Sequence, residues 1–74
     1  GINDWGMYVA EKTTKSEGVI RLRDISQDSF KYEEKKLMLV GEKTGTILRI
    51  GDNVRIIVKN VDIEKQQIDY SLVL

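Results

Sequence analysis

Residues 53–74, NVRIIVKNVDIEKQQIDYSLVL, contain two stretches in which apolar and polar side chains alternate, separated by a polar segment. A period of two places successive side chains on opposite faces of a β-strand, so each stretch predicts a strand with one apolar face. The intervening DIEKQQ is rich in charged and amide side chains and predicts a turn. The end of the chain is therefore predicted to be two consecutive β-strands.

The first of these strands contains a break in its alternation. Val54, Ile56 and Val58 share one parity and are predicted to face the core, whereas Val61 has the opposite parity. If Val61 also faces the core, a β-bulge near Lys59 must reset the register, as happens where a strand bends in a small barrel. The sequence therefore predicts a bent strand.

The second strand places an aromatic ring on its apolar face. Tyr70 has the same parity as Ile68, Leu72 and Leu74. Large side chains fill the interior of small barrels, which predicts that Tyr70 is a core residue and not an exposed ligand-binding ring.

Short strand signals run through the rest of the chain, separated by Gly, Asn, Asp and Lys. Two segments, RLRDIS at 21–26 and FKYEEKKLM at 30–38, are compatible with one or two helical turns, but neither is long enough for an independent helix. The pattern predicts an all-β meander or barrel. The strand-like segments are WGMYVA, GVIRL, LMLVG, TILRI, NVRIIVKNV and QIDYSLVL.

The composition restricts the possible chemistry. A chain of 74 residues forms one domain at most, and without Cys or His it lacks the usual zinc ligands and the usual general base. Its serines have no histidine to activate them, so we predict no catalytic residue and no metal site. No apolar run approaches the length of a membrane span, and we expect a cytoplasmic protein without a membrane partner. The 12 basic and 12 acidic side chains cancel, so binding to a polyanion requires a local patch.

Short motifs in a fixed order give the chain a resemblance to a known domain. The sequence resembles the RNA-binding domain first seen as repeats in ribosomal protein S-one, which is an oligonucleotide/oligosaccharide-binding (OB) barrel. The resemblance implies a small five-stranded antiparallel OB-fold barrel with a short helical turn. The matching elements are Trp5-Gly6-Met7-Tyr8-Val9, Glu17-Gly18-Val19-Ile20, Gly51-Asp52, Val61-Asp62 and Ser71-Leu72.

A segment in the middle of the chain resembles one particular group within this family. The segment DSFKYEEKKLMLVGEKTGTILRIGD, at 28–52, is longer than in the common domain and is similar to the C-terminal copy in bacterial ribonuclease R. This similarity implies an extra hairpin between strands 3 and 4. The family's first strand usually begins before Ile2, so we expect a truncated first strand. We therefore expect residues 1–74 to be a single OB-fold RNA-binding domain from a larger protein.

Two aromatic residues are the principal candidates for RNA contact. Trp5 and Tyr8 are three residues apart, so a regular strand would point them to opposite faces. In relatives the matching aromatics both lie on the nucleic-acid face, and Gly6 is placed to allow the bend that this requires. Two exposed rings would suit sequence-tolerant stacking of single-stranded bases. The alternative is that Trp5 is a core residue and Tyr8 a surface ring.

Five polar residues complete the candidate site by resemblance. Arg21 could pair with a phosphate or stack on a base, and Lys59 projects near the family's binding edge. Asp62 either accepts a hydrogen bond from RNA or ties its own loop to backbone amides. Lys65 and Gln67 lie in or beside the loop that OB folds commonly use for ligands. Two further cations, Arg23 and Arg55, are predicted to be solvated.

The resemblance implies a function for the larger protein as well as for this chain. The chain would hold single-stranded RNA for a 3′-to-5′ exoribonuclease whose catalytic domain, with a divalent metal such as magnesium, lies elsewhere; the domain itself would need no cofactor. One alternative is an RNA-binding module of a ribosomal protein or translation factor, and another is a protein-interaction barrel. A truncated first strand would expose a barrel edge open to self-association.

Overall fold

The computed structural model describes all residues from 1 to 74 and consists of seven β-strands and one 3₁₀ turn. The 3₁₀ turn confirms the short helical turn expected after the second strand-like segment. The elements are β1 (Gly6–Ala10), β2 (Glu17–Arg21), the 3₁₀ turn (Leu22–Asp24), β3 (Phe30–Glu33), β4 (Met38–Gly41), β5 (Ile47–Arg49), β6 (Arg55–Asp62) and β7 (Gln67–Val73).

The strands form two sheets. The first has the order β1-β2-β7-β6 and the second the order β3-β4-β5. Neighbouring strands are antiparallel except β2 and β7, which run parallel and pair at Val19 and Asp69. The all-β OB fold is confirmed, and its seven strands agree in number with the five expected strands and an extra hairpin; β3-β4-β5 forms a separate second sheet.

The predicted bulge in β6 is present. The pairing of β6 with β7 shifts between Val58 and Asn60, so that Val58 lies opposite Tyr70 and Val61 opposite Ile68. The shift places Val61 on the same face of β6 as Val58, but Val61 is 53% exposed and is not part of the core. The prediction that Val58 is a core residue is wrong, however, because its side chain is 59% exposed. β6 is the edge strand of its sheet, and Val58 does not pack against the core cluster.

The core lies between the two sheets. Ile20 of β2 and Leu39 of β4 are its most deeply buried large side chains, and Tyr70 is 5% exposed, which confirms its predicted place. The Tyr70 hydroxyl donates a 3.3 Å hydrogen bond to the carbonyl oxygen of Ser16, which satisfies its polar end. The buried apolar cluster contains Met7, Ile20, Ile25, Phe30, Leu39, Leu48, Tyr70 and Leu72.

The segment FKYEEKKLM is not helical. Its first four residues form β3, which pairs with β4 from Phe30↔Gly41 to Glu33↔Met38. The polar residues between the strands form the turn, in which Leu37 adopts a positive φ of 51°. Pairing with a neighbouring strand outweighs the weak helical tendency of this short segment.

A buried carboxylate connects the segment before β3 to the turn between β4 and β5. Asp28 is 3% exposed, and its oxygens accept hydrogen bonds from the backbone amides of Ser29, Lys43 and Thr44 and from the Thr44 hydroxyl. Burial is the largest influence and raises the pKa of Asp28, but the Thr44 hydroxyl and the three amides outweigh it and lower the pKa to about 2. Gly41 leaves room for this carboxylate, since a Cβ there would overlap Asp28 Oδ2.

We expect Asp28→Asn to destabilise the domain at neutral pH, because an amide nitrogen cannot accept the hydrogen bonds that the lost oxygen received. The carboxylate has a pKa of about 2 in the folded chain against an ordinary 3.8, so its stabilising effect is complete above pH 3.8 and disappears as the pH falls through 2. Thermal unfolding of both proteins across this range should show the two curves converging in acid. Asp4→Asn, at an exposed carboxylate, is the matched control. A stability difference that persists unchanged in acid would contradict the assignment.

The first sheet has two edges that are separated by a gap. On one side, residues 1–3 pair with β1, where the Tyr8 amide donates to the Gly1 carbonyl at 2.9 Å and Ile2 bridges to Met7. On the other side is β6. A cavity of about 350 Å³ lies between them, and its apolar lining includes Leu48, Val54 and Ile56. No helix in the structure is both long enough and apolar enough to span a bilayer.

Candidate nucleic-acid interface

Two exposed aromatic rings lie next to each other on one face of the first sheet. Trp5 is 43% and Tyr8 55% exposed, and their ring centroids are 5.7 Å apart with an interplanar angle of 85°. This edge-to-face arrangement is one that aromatic pairs favour. The alternative in which Trp5 belongs to the core is therefore wrong, and both rings are accessible from solvent.

The sequence places both rings on one face because Trp5 precedes the strand. Tyr8 lies in β1, where it points away from the core that contains Met7, whereas Trp5 lies in the bend before Gly6. Oδ1 of Asn3 accepts hydrogen bonds of 3.0 Å from the amides of both Trp5 and Gly6. Such an Asx turn fixes the backbone direction independently of strand alternation.

Gly6 has a different role from the expected one. A Cβ on Gly6 would lie 2.3 Å from the Ile20 carbonyl oxygen, so glycine is required for the close approach of β1 to β2. Its φ is not in the left-handed region, and the bend itself is held by Asn3. The expected bend is present, but the residue that holds it is three positions earlier.

Five of the seven candidate residues line a single groove of about 480 Å³. The groove lies where the end of β2 and the β6–β7 turn meet the aromatic pair. The candidates in it are Trp5, Tyr8, Arg21, Lys65 and Gln67. We refer to it as the aromatic groove; its remaining lining residues are Glu17, Gly18, Val19, Gln66 and Ile68.

Arg21 is held at one side of the aromatic groove by an ion pair. Its Nη1 lies 3.1 Å from Oδ1 of Asp69, which also accepts a 3.2 Å hydrogen bond from the Gln67 amide. Burial acts most strongly on the pKa of Asp69 and raises it, but the Gln67 and Arg21 hydrogen bonds and the charges of Arg21 and Lys59 together lower it. The carboxylate is therefore ionised at neutral pH. Because a guanidinium has five N–H donors, Arg21 retains donors for a phosphate or a base edge.

The other two candidates do not line the groove. Lys59 Nζ lies 3.4 Å from Oδ2 of Asp24 in the 3₁₀ turn. Asp62 Oδ1 accepts a 3.0 Å hydrogen bond from the Lys65 amide and so ties the β6–β7 turn together. Of the two roles considered for Asp62, the structure shows the local one. Its effect on the site is indirect, since the turn that it holds carries Lys65 and Gln67.

The groove also contains residues that the sequence did not identify. Gln66 has a φ of 53°, which is uncommon for a residue with a side chain, and it lies between the two candidates of the turn. Gly18 lies on the groove floor because β7 approaches closely there, with the Ile68 carbonyl oxygen 2.5 Å from the position of a Cβ. The φ of Gln66 is set by the β6–β7 turn, whose backbone includes a 3.2 Å hydrogen bond from the Gln66 amide to the Ile63 carbonyl, whereas the role of Gly18 depends on the pairing of β2 with β7.

The acidic residues do not form a metal centre. No group of three or more Asp or Glu side chains lies close enough to hold an ion. The chemistry available on this face is stacking, hydrogen bonding and contact with single positive charges.

Comparisons with known proteins give a consistent result. No family model matches the chain. Ribonuclease R of Aquifex aeolicus is 27% identical over 73 residues, which are 99% of this chain and 10% of that protein. Ribonuclease R of Vibrio cholerae is 31% identical over 72 residues, or 97% of this chain and 9% of that protein. The acetazolamide conferring resistance protein zam of Synechocystis is 30% identical over 73 residues, or 99% of this chain and 9% of that protein.

Solved structures of ribonuclease R share the fold. The apo form from Mycoplasma genitalium superposes with a TM-score of 0.83 at 25% identity, covering 97% of this chain and 11% of that one. The same protein in complex with ribose-methylated single-stranded RNA gives the same TM-score of 0.83 and 25% identity, with the same coverage of 97% and 11%.

The fold and the groove define an OB-fold domain. Its homologues include ribonuclease R of several bacteria, and the resemblance predicted from the sequence is confirmed over nearly the whole chain. The chain spans about a tenth of the length of these relatives.

Proposed function

We propose that this domain binds single-stranded RNA in the aromatic groove with little dependence on base sequence. The observation that carries the proposal is the pair of exposed rings, Trp5 and Tyr8, in a groove that also contains Arg21 and Lys65. Any base can stack on an aromatic ring, and cations beside the rings can contact the phosphates. The complex of Mycoplasma genitalium ribonuclease R with single-stranded RNA supports this proposal.

The charges fit a local site and not a general attraction to polyanions. The chain has no net charge, and three of its cations, Arg21, Lys31 and Lys59, pair with carboxylates. Lys65, in contrast, has no ion-pair partner within 4.0 Å and stands at the turn that borders the groove. Binding should therefore depend on a few phosphate contacts and show only a shallow dependence on salt.

Within a larger protein, the domain would hold substrate for a 3′-to-5′ exoribonuclease of the ribonuclease R type. The similarity to ribonuclease R over nearly all of this chain supports that role. The hydrolytic step and a divalent metal such as magnesium would belong to a separate catalytic domain. This chain would bind the single-stranded RNA through stacking and hydrogen bonds, without a cofactor.

The single tryptophan provides a direct test of the proposed function. Titration with single-stranded RNA is expected to change the Trp5 emission, and the binding is expected to weaken as salt increases. Inorganic polyphosphate is the control, because it supplies phosphate charge without bases and should leave the emission unchanged. If RNA produces no change in emission and no salt-sensitive binding, the domain does not bind RNA in this groove.

We also propose that the free edge of β6 allows two copies to associate. β6 pairs only with β7, and its exposed β-branched side chains include Ile57 and Val61. An unpaired edge of this kind is a template for another strand, and a chain without net charge does not repel its own copy. Sedimentation at increasing concentration should detect dimers that Val61→Lys removes; a monomer at every concentration would exclude this association.

A further inference from the structure

A second hollow lies beside the aromatic groove and is not part of it. It has a volume of about 450 Å³, close to the 480 Å³ of the aromatic groove. Trp5 and Arg21 line both hollows and therefore stand between them. We refer to this cavity as the second hollow; its lining residues are Asp4, Trp5, Arg21, Leu22, Arg23 and Phe30.

The lining of the second hollow combines apolar surface with two positive charges, Arg21 and Arg23, and one negative charge, Asp4, which forms no ion pair with either within 4.0 Å. Leu22 and Phe30 provide the apolar part, and Phe30 is fixed in the core cluster. Arg23 is exposed and has no ion-pair partner within 4.0 Å. The neighbouring acid, Asp24, does not neutralise Arg23, because it pairs with Lys59 at 3.4 Å. Apolar surface beside a free guanidinium suits a base together with its phosphate.

The aromatic groove and the second hollow each contain a cation that has no ion-pair partner within 4.0 Å. Lys65 lies in the β6–β7 turn that borders the aromatic groove, and Arg23 lies in the 3₁₀ turn that borders the second hollow. Trp5 and Arg21 lie between these cations as the shared wall. An RNA strand that has a base stacked on Trp5 in the aromatic groove can therefore continue past this ring into the second hollow.

We propose that the second hollow is a further nucleotide subsite, in which a single RNA strand crosses the wall formed by Trp5 and Arg21 and Arg23 binds a phosphate. The proposal rests on the proposed function, since it extends the path of the same RNA. It assigns Arg23 a role that the sequence does not indicate, because nothing in the local pattern separates Arg23 from a solvated cation.

The test compares Arg23→Gln with Arg55→Gln. Both changes remove one exposed guanidinium, but Arg55 lies on β6 and lines neither hollow. Binding of oligouridylates, from dinucleotide to octanucleotide, is measured for both variants and the unchanged protein over a range of salt. Each phosphate contact on a single strand contributes ~0.7 to the slope of log K against log salt concentration. Arg23→Gln should therefore lower the magnitude of that slope by ~0.7 and reduce the affinity for long oligonucleotides by about fivefold near 0.1 M salt.

Oligonucleotide length separates the second hollow from the aromatic groove. The shortest oligonucleotides that quench Trp5 should bind equally to all three proteins, and only longer ones should lose affinity in Arg23→Gln. If Arg23→Gln behaves like Arg55→Gln at every length while RNA still changes the Trp5 emission, the second subsite is refuted and the aromatic groove stands. If no RNA binds the unchanged protein, the proposed function itself fails.

Discussion

Replacing both aromatic rings, as Trp5→Ala together with Tyr8→Ala, is expected to weaken single-stranded RNA binding by about 30-fold or more, because each stacked base contributes roughly 1–3 kcal/mol. The rings are exposed and lie 5.7 Å apart, so the change removes the whole platform while leaving the core intact. Anisotropy of a labelled oligonucleotide measures the affinity, since the variant has no tryptophan to report on binding.

The two single variants determine whether the rings act together. Trp5 and Tyr8 are in edge-to-face contact, so removal of one ring also frees the other. We therefore expect the effects of the single changes not to add up to that of the double change, as is usual for residues in contact. Additive effects would indicate that each ring stacks its base independently.

Base preference and a matched variant serve as controls for this prediction. Stacking requires only the face of a base, so the loss of affinity should be similar for oligouridylate and oligoadenylate. Ile50→Ala removes another exposed apolar side chain, outside both hollows, and should not change the affinity. Selective loss for one base would contradict the stacking mechanism, and an equal loss in Ile50→Ala would contradict the location of the site.

The second large effect is expected from Gly18→Ala, which should destabilise the fold severely. A Cβ on Gly18 would lie 2.5 Å from the Ile68 carbonyl oxygen and 2.6 Å from Cε2 of Tyr70. One of these neighbours is backbone and the other is a buried ring, so neither can move without separating β2 from β7 or displacing the core.

The magnitude follows from two opposing terms. Alanine restricts the unfolded chain and so stabilises by ~0.4–1 kcal/mol, whereas overpacking of a core costs ~1–3 kcal/mol and occasionally more. We expect about 2 kcal/mol of net destabilisation for Gly18→Ala, toward the upper end of what these terms allow, because two rigid neighbours are affected at once. For a domain of this size that lowers Tm by roughly 8–16 °C.

Thermal unfolding followed by circular dichroism measures this effect. Gly1→Ala makes the same chemical change where nothing lies within 4 Å, so it should leave Tm almost unchanged. Equal Tm values for Gly18→Ala and the unchanged protein would show that β2 and β7 are not as close as the structure places them.

Several features of the fold could be predicted because they depend only on side-chain alternation. The parities of Val58 and Val61 conflict along the chain, and the bulge between them is the only way to keep both on one face of β6. Tyr70 was predicted in the core for the same reason. The strand Phe30–Glu33 was not predicted, since its sequence also permits a helical turn and its pairing with β4 decides between them.

The candidate site was predicted less completely than the fold. Trp5 and Tyr8 were identified from the resemblance, but the reason for their shared face was not, because the Asn3 hydrogen bonds that bend the chain are a three-dimensional feature. Lys59 was expected at the binding edge, but it pairs with Asp24, which is 35 positions away in the chain. Arg23 was expected to be solvated, and only its place beside the second hollow indicates a role.

The sequence by itself determined the periodic features of this protein: its all-β class, the bulge in β6, the core position of Tyr70 and the absence of histidine and cysteine chemistry. These follow from side-chain parity and residue type, which act locally along the chain. Only the tertiary structure decided which side chains meet: Arg21 with Asp69, Lys59 with Asp24, and Trp5 as the wall between two hollows. The reason is physical, since such contacts depend on how strands distant in sequence pair and curve, and alternation along one strand carries no information about its neighbours.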